Sequence, residues 1–270
     1  MRTEFLINDQ SAGYPTRVVT ARVGTDDIDH LVREGYLVRR ELLSPGVAGS
    51  LRARVHEIAQ AEEGVPGAEW VAGDSIYLRR LLDKHAEFHR LLRLEPVLSL
   101  ARTLLGPQVW IDLEARMHYP GTAGISVPWH NHLPVVPDPR PVFFCYPHQL
   151  HCLIYLDRVS ADEGALMLLP GSHLRPGVQF PLGDRSAHAD QVELFFEPGD
   201  AVVIHGSLWH RTAPSTAEAK RRTLLLLGYV PSWIRNEIGE HGVPVENPLT
   251  VALALTGDAE VRELLGEFHW

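Results

Sequence analysis

The chain has 270 residues, and with 45% hydrophobic content it carries enough apolar surface for a substantial core; a 22% charged fraction excludes wholesale disorder. Its 34 acidic against 25 basic residues leave a formal net charge of −9, a poor match for nucleic acid or an anionic membrane surface as partner. No run approaches the ~18 apolar residues of a membrane span, and the start, MRTEFLINDQ, has no apolar stretch suited to a signal peptide.

In chain order, Ile28, Leu31 and Val32 fall at helical spacing between Asp26 and Glu34, Gly35 supplies a stop, and Tyr36 to Leu42 reads as a strand. Ser44-Pro45 is a helix start, a capping hydroxyl followed by proline at the first helical position, and Val47, Leu51, Val55 and Ile58 give that helix one apolar face. Further helices are expected from Ile76 to Leu92 and from Pro96 to Leu105, the second ending at Gly106. Short apolar runs between Pro/Gly turns then take over: VWIDLEARMHY, HCLIYLDRV, GALMLLP, VELFFEPGD, AVVIHG and RTLLLLGYV. Such spacing predicts an antiparallel sandwich or barrel. The tail from Asn247 to Trp270 returns to helical spacing. No repeat or composition break divides the chain, so residues 1–270 are expected to form one domain: N-terminal helices over about 26–106, a barrel over about 107–235 and a C-terminal helical tail.

Cys145 and Cys152 cannot make a disulfide scaffold and have no metal-ligand spacing, which fits a reducing compartment; a soluble cytoplasmic protein is expected. Fifteen histidines are the compositional pointer to metal chemistry. Trp129-His130-Asn131-His132 follows a Gly/Pro-marked loop, and residues two apart on a strand share a face, so His130 and His132 can offer two nitrogens to one metal. His210 follows the strand AVVIHGSLW and would be the distant third ligand. Hydrogen-bonded core or surface histidines would show the same spacing. Arg221 can grip a carboxylate with two parallel hydrogen bonds, or belong with Lys220 and Arg222 to a solvated charge run. Glu114, Arg116 and His118 share one strand face, expected to be the wet face of an edge strand, with substrate contact as the alternative. Pro134 to His151 mixes prolines with aromatics and reads as a lid over a site or a rigid surface loop. Ser172, His173 and Trp209 are expected to be structural.

The order of these motifs resembles the phytanoyl-CoA dioxygenase family of iron(II)- and 2-oxoglutarate-dependent oxygenases. The resemblance runs from about Asp26 to Tyr229: REGYLVRRELLSPGVAGSLRARV, LARTLLGPQVWIDLEARMHYPG, VPWHNHLP at the family's Trp-His-x-Asp motif, YLDRVSADEGALMLLPGSH and EPGDAVVIHGSLWHRTAPS. It implies a mainly β fold with flanking helices around a double-stranded β-helix (a cupin-like jelly roll). It further implies iron(II) on His130, His132 and His210, and 2-oxoglutarate held by Arg221, the family's anchor position, with Thr212 adding a hydroxyl. A small-molecule substrate and molecular oxygen complete the expected reaction, with natural-product biosynthesis as the expected setting. One departure matters: His132 stands where the family has aspartate, so the triad would be three neutral imidazoles rather than two histidines and a carboxylate. A halogenase is disfavoured, because those relatives place a small residue there. A three-histidine oxygenase without 2-oxoglutarate and a non-catalytic small-molecule-binding relative are the competing expectations. Neither substrate identity nor oligomeric state is legible.

Overall fold

A computed structural model describes residues 1–7, 16–71, 75–121, 123–132, 148–175, 177–234 and 241–268. The chain opens with a hairpin that the hydrophobic pattern does not signal, β1 (Arg2–Ile7) paired antiparallel with β2 (Arg17–Arg22). Helix α1 (Thr25–Glu34) ends at Gly35, whose φ of 83° is the left-handed cap that glycine reaches without steric cost. Strand β3 (Tyr36–Arg39) follows, then α2 (Pro45–Ala61), whose first turn is capped by the Ser44 hydroxyl accepting from the Val47 N–H. Such a cap contributes about 1 kcal/mol.

The expected helix from Ile76 to Leu92 is corrected. Its first part is β5 (Ser75–Leu78), paired with β4 (Glu69–Val71), and helix begins only at α3 (Leu81–Lys84), followed by a 3-10 segment over Ala86–Leu91. The apolar residues Ile76 and Leu78 alternate with Tyr77, which is strand periodicity, and β6 offers them a hydrogen-bonded neighbour. Helix α4 (Val97–Leu105) then leads into the strand-rich half: β6 (Val109–His118), β7 (Val127–His130), β8 (Leu150–Tyr155), β9 (Leu166–Leu168), β10 (Val192–Leu194), β11 (Ala201–His205), β12 (His210–Thr212) and β13 (Arg222–Pro231). Helices α5 (Leu249–Thr256) and α6 (Ala259–Leu264) close the described chain.

Two of the sheets form the jelly roll. The larger has seven strands in the order β3-β11-β8-β13-β6-β5-β4; the smaller has four, β10-β9-β12-β7. Period-2 alternation gives the larger sheet two buried faces. Leu113 and Ala115 of β6, with Leu225, Leu227 and Tyr229 of β13, pack in one apolar core with Leu51 and Val55 of α2. Leu153, Tyr155, Val202, Ile204 and Leu224 point the other way and meet Leu166 and Leu168 of the smaller sheet. The turn before β11 is fixed by buried Asp200, which accepts from Arg40 Nη1 at 2.6 Å and from the backbone N–H groups of Glu41 and Glu197 at 2.9 and 3.0 Å. Among the described residues no helix is long and apolar enough to cross a membrane.

Candidate functional site

The histidines gather where the two sheets face each other. His130 ends β7 and lies in register with His210, the first residue of β12. Their ring centroids are 4.1 Å apart. His132 comes just after β7 has ended, and its backbone N–H donates to the Gly206 carbonyl at 2.7 Å, so the connection after β11 positions it rather than a strand ladder. One ring nitrogen from each of His130, His132 and His210 lies within 4.8 Å of the others.

Local hydrogen bonds prepare two of the rings. Nδ1–H of His130 donates to the Pro128 carbonyl and Nδ1–H of His210 to the Leu208 carbonyl, each at 2.9 Å and each two residues upstream. These bonds fix the tautomer and leave Nε2 as the free lone pair, the arrangement metal-ligating imidazoles use. Nδ1 of His132 is buried without a hydrogen-bond partner. Burial, reinforced by neighbouring cationic forms, holds all three rings below the usual imidazole pKa, most strongly for His132 and His210. They are therefore neutral donors at pH 7, and three such nitrogens with an orphaned Nδ1 fit a transition metal such as iron, copper, zinc or nickel.

A fourth imidazole was missed by the sequence reasoning. His151 of β8 meets His132 edge to face, centroids 3.9 Å apart, and its buried Nε2 has no partner. Burial pushes its pKa down to about 3. It shares the inner face of β8 with Leu153 and Tyr155, so alternation could have found it once the core face of that strand was known. Next to it on β13, opposite Asp112 of β6, is Gly228. A Cβ at Gly228 would lie 3.7 Å from His151 Cε1 and 3.8 Å from the Asp112 carbonyl oxygen, so a side chain there would pack between these two residues. Asp112 itself is exposed, and the nearby charge of Glu114 raises its carboxyl pKa.

Arg221 and Arg222 fall on opposite faces of the larger sheet. Strand β13 starts at Arg222, and alternation turns Arg222, Leu224, Leu226 and Gly228 inward, with Thr223, Leu225, Leu227 and Tyr229 toward the helices. Arg221 precedes the strand on the helix side; Nη1 donates to His56 Nδ1 at 3.2 Å, and the guanidinium lies 5.9 Å over the Tyr119 ring. Arg222 is 5% exposed and donates from Nη1 to the carbonyls of Glu163 and Gly164, at 3.1 and 2.6 Å, and from Nη2 to His118 Nε2 at 3.2 Å. Burial lowers its pKa to about 10, which still leaves it charged at neutral pH. Among the described residues no carboxylate pairs with it. Thr212 shares the inward face of β12 with His210, and its methyl lies 3.4 Å from where a Gly164 Cβ would be, so Thr212 and Arg222 border the same glycine.

Glu114, Arg116 and His118 are not the wet face of an edge strand: β6 lies between β13 and β5, and these residues look into the barrel. Ser172 is structural, its hydroxyl accepting from the Trp209 N–H at 3.0 Å, and His173 bonds the Val32 carbonyl of α1 at 2.9 Å. Trp209 packs at the rim with Trp129 and donates to the Val178 carbonyl. Cys152 is buried with its thiol pushed up to about 12 and is inert. The expected lid falls largely on residues 133–147, which with Cys145 lie outside the described residues.

A sequence model of the family described as Phytanoyl-CoA dioxygenase (PhyH) matches residues 31–223. The ectoine dioxygenase of Stutzerimonas stutzeri (strain A1501) is 27% identical over 167 residues, covering 59% of this chain and 54% of that protein. The dioxygenase lolE1 of Epichloe uncinata is 26% identical over 217 residues, covering 74% and 80%. The chain spans 54% and 60% of the length of two ectoine dioxygenases it resembles. Among solved structures, HygX from Streptomyces hygroscopicus with nickel and 2-oxoglutarate bound superimposes with a TM-score of 0.62 at 15% identity, over 84% of this chain and 98% of that one. The epimerase SnoN from nogalamycin biosynthesis gives 0.58 at 17%, over 83% and 91%. These likenesses establish the jelly-roll fold.

Proposed function

Because the chain belongs to the phytanoyl-CoA dioxygenase family, we propose that it is a non-haem iron(II)- and 2-oxoglutarate-dependent oxygenase that oxidises a C–H bond of a small molecule. The observation that carries this reading is the convergence of His130, His132 and His210 inside the barrel, two of them with Nε2 presented by backbone-held rings. These three residues would hold the metal. Iron there would supply oxygen activation coupled to oxidative decarboxylation of 2-oxoglutarate. Arg222 would grip the far carboxylate of 2-oxoglutarate, with Thr212 beside it. Neutral imidazoles at all three positions leave the metal one unit more positive than a set containing aspartate, which favours a dianionic co-substrate. The apolar wall of Leu153, Leu166, Leu168, Val202 and Leu224 excludes water around these charges and strengthens them. Natural-product chemistry is the setting that relatives such as SnoN suggest, with residues 1–270 acting as one catalytic domain.

Anaerobic titration with iron(II) and then 2-oxoglutarate tests the reading. A visible charge-transfer band is expected only when both are bound, and admitting oxygen should release succinate in step with the 2-oxoglutarate consumed. Arg222→Gln should weaken 2-oxoglutarate binding by roughly 30-fold or more, since a charge-assisted pair is lost in a buried site, while Arg221→Ala leaves it within about two-fold. Metal binding with no 2-oxoglutarate binding would instead indicate a three-histidine oxygenase, and absence of metal binding a non-catalytic relative.

A further inference from the structure

The inner face of β6 carries Asp112, Glu114, Arg116 and His118, where its other face has Leu113, Ala115 and Met117. Asp112 is exposed, but Glu114 and His118 are buried and Arg116 half-buried, and polar groups on a barrel wall desolvate at a cost unless paired. Two are accounted for. Glu114 accepts from Tyr77 Oη on one oxygen and from Arg79 Nη1 on the other, and Arg79 also holds Glu69. His118 receives Arg222. Arg116 is different. Its Nε donates to Ser75 Oγ at 3.2 Å, and among the described residues its Nη groups have no hydrogen bond and no carboxylate partner. It lies between Tyr77 of β5 and Leu224 of β13, on the inward face of the larger sheet.

A half-buried guanidinium without a counter-ion is a standing cost that a bound anion offsets. Under the reading above, 2-oxoglutarate does not meet that need: its carboxylates go to the metal and to Arg222, and the three metal-facing imidazoles contribute no negative charge. We propose that Arg116 is a specificity-determining residue that binds an anionic group of the substrate, a carboxylate or phosphonate, so that the oxidised molecule is a small organic acid. The inference rests on the iron and 2-oxoglutarate reading of the same cavity.

The test is calorimetric titration of propionate, ethylphosphonate and uncharged propionamide into protein saturated with nickel(II) and 2-oxoglutarate, where no turnover occurs. Wild type is expected to bind the two anions at least ten-fold more tightly than the amide. Arg116→Gln should abolish that preference while 2-oxoglutarate affinity stays within two-fold; Arg116→Lys, which keeps the charge, should recover part of it. An anion preference that survives Arg116→Gln overturns the proposal, as does a wild type that does not distinguish propionate from propionamide. Loss of 2-oxoglutarate binding in Arg116→Gln overturns it too, by placing Arg116 in the co-substrate pocket. If wild type binds no 2-oxoglutarate, the functional reading fails separately, and the same anion series on metal-free protein decides Arg116: preference lost in Arg116→Gln upholds the anion site, and preference kept removes it.

Discussion

His132 is positioned by one backbone bond to Gly206, whereas His130 and His210 have their rings fixed by carbonyls two residues upstream. Removing His132 should therefore damage metal binding without loosening the other two ligands. His132→Ala is expected to bind iron(II) at least ten-fold more weakly, by roughly the 10- to 100-fold range of disturbed metal sites, and His132→Asp to restore it. Proton competition refines this. An imidazole in water titrates near 6.5, which alone would predict metal loss below that pH, but burial lowers all three ring pKa values. Iron binding is thus expected to persist below about pH 6 before protons displace it, as equilibrium metal titrations at pH 7, 6 and 5 would reveal; a midpoint at 6.5 would mean that the rings are solvated. The three histidines were legible because residue type and two-residue spacing carry the chemistry. Which of Arg221 and Arg222 faces inward was not: an eleven-residue interval does not state where β13 begins, and a shift of one residue exchanges the inward and outward faces.

At the scale of elements, small devices set the barrel's edges. Gly35 ends α1 in the left-handed region, and a Cβ there would come 2.5 Å from His173 Nδ1 and 2.7 Å from Leu208 Cδ1. Gly64 has a similar φ of 74° and open space around it. Gly64→Ala should therefore cost only the backbone term, about 1 kcal/mol, and Gly35→Ala roughly 2–4 kcal/mol through added collision; urea unfolding of both variants separates the two terms, and equal losses would refute the collision. Asp200→Ala strands two backbone N–H groups and Arg40 around a buried turn and is expected to cost about 2–4 kcal/mol by the same measurement. Strand existence was legible for the apolar runs after Gly106, because turn residues bound them. Strand β5 was read as helix because four residues hold too little periodicity to separate 2.0 from 3.6. The polar face of β6 was assigned to solvent because alternation gives two faces but not which one a second sheet covers.

For the molecule as a whole, buried neutral imidazoles make stability depend on acid. His118, lowered to about 2 by burial and by Arg222 and Arg116, and His151, at about 3, stay unprotonated in the fold while an unfolded chain protonates both near 6.5. Their contribution is complete above that pH and is lost as pH falls from about 6.5 toward those folded values, at up to roughly 1.4 kcal/mol per pH unit for each ring. Metal-free protein should accordingly unfold at lower urea concentration at pH 5 than at pH 7, and His118→Gln should flatten that slope by one proton; an unchanged slope would mean that His118 is hydrated in the fold. The last consequence comes from where the site's parts are mounted. His130 and His210 belong to the four-stranded sheet, and Arg222, Arg116 and His151 to the seven-stranded one. A metal on the histidines alone braces one leaf, but a ligand reaching from that metal to Arg222 rivets both leaves together. Amide hydrogen exchange should therefore slow in β7 and β12 on metal loading, and in β6 and β13 only when the bridging acid is added.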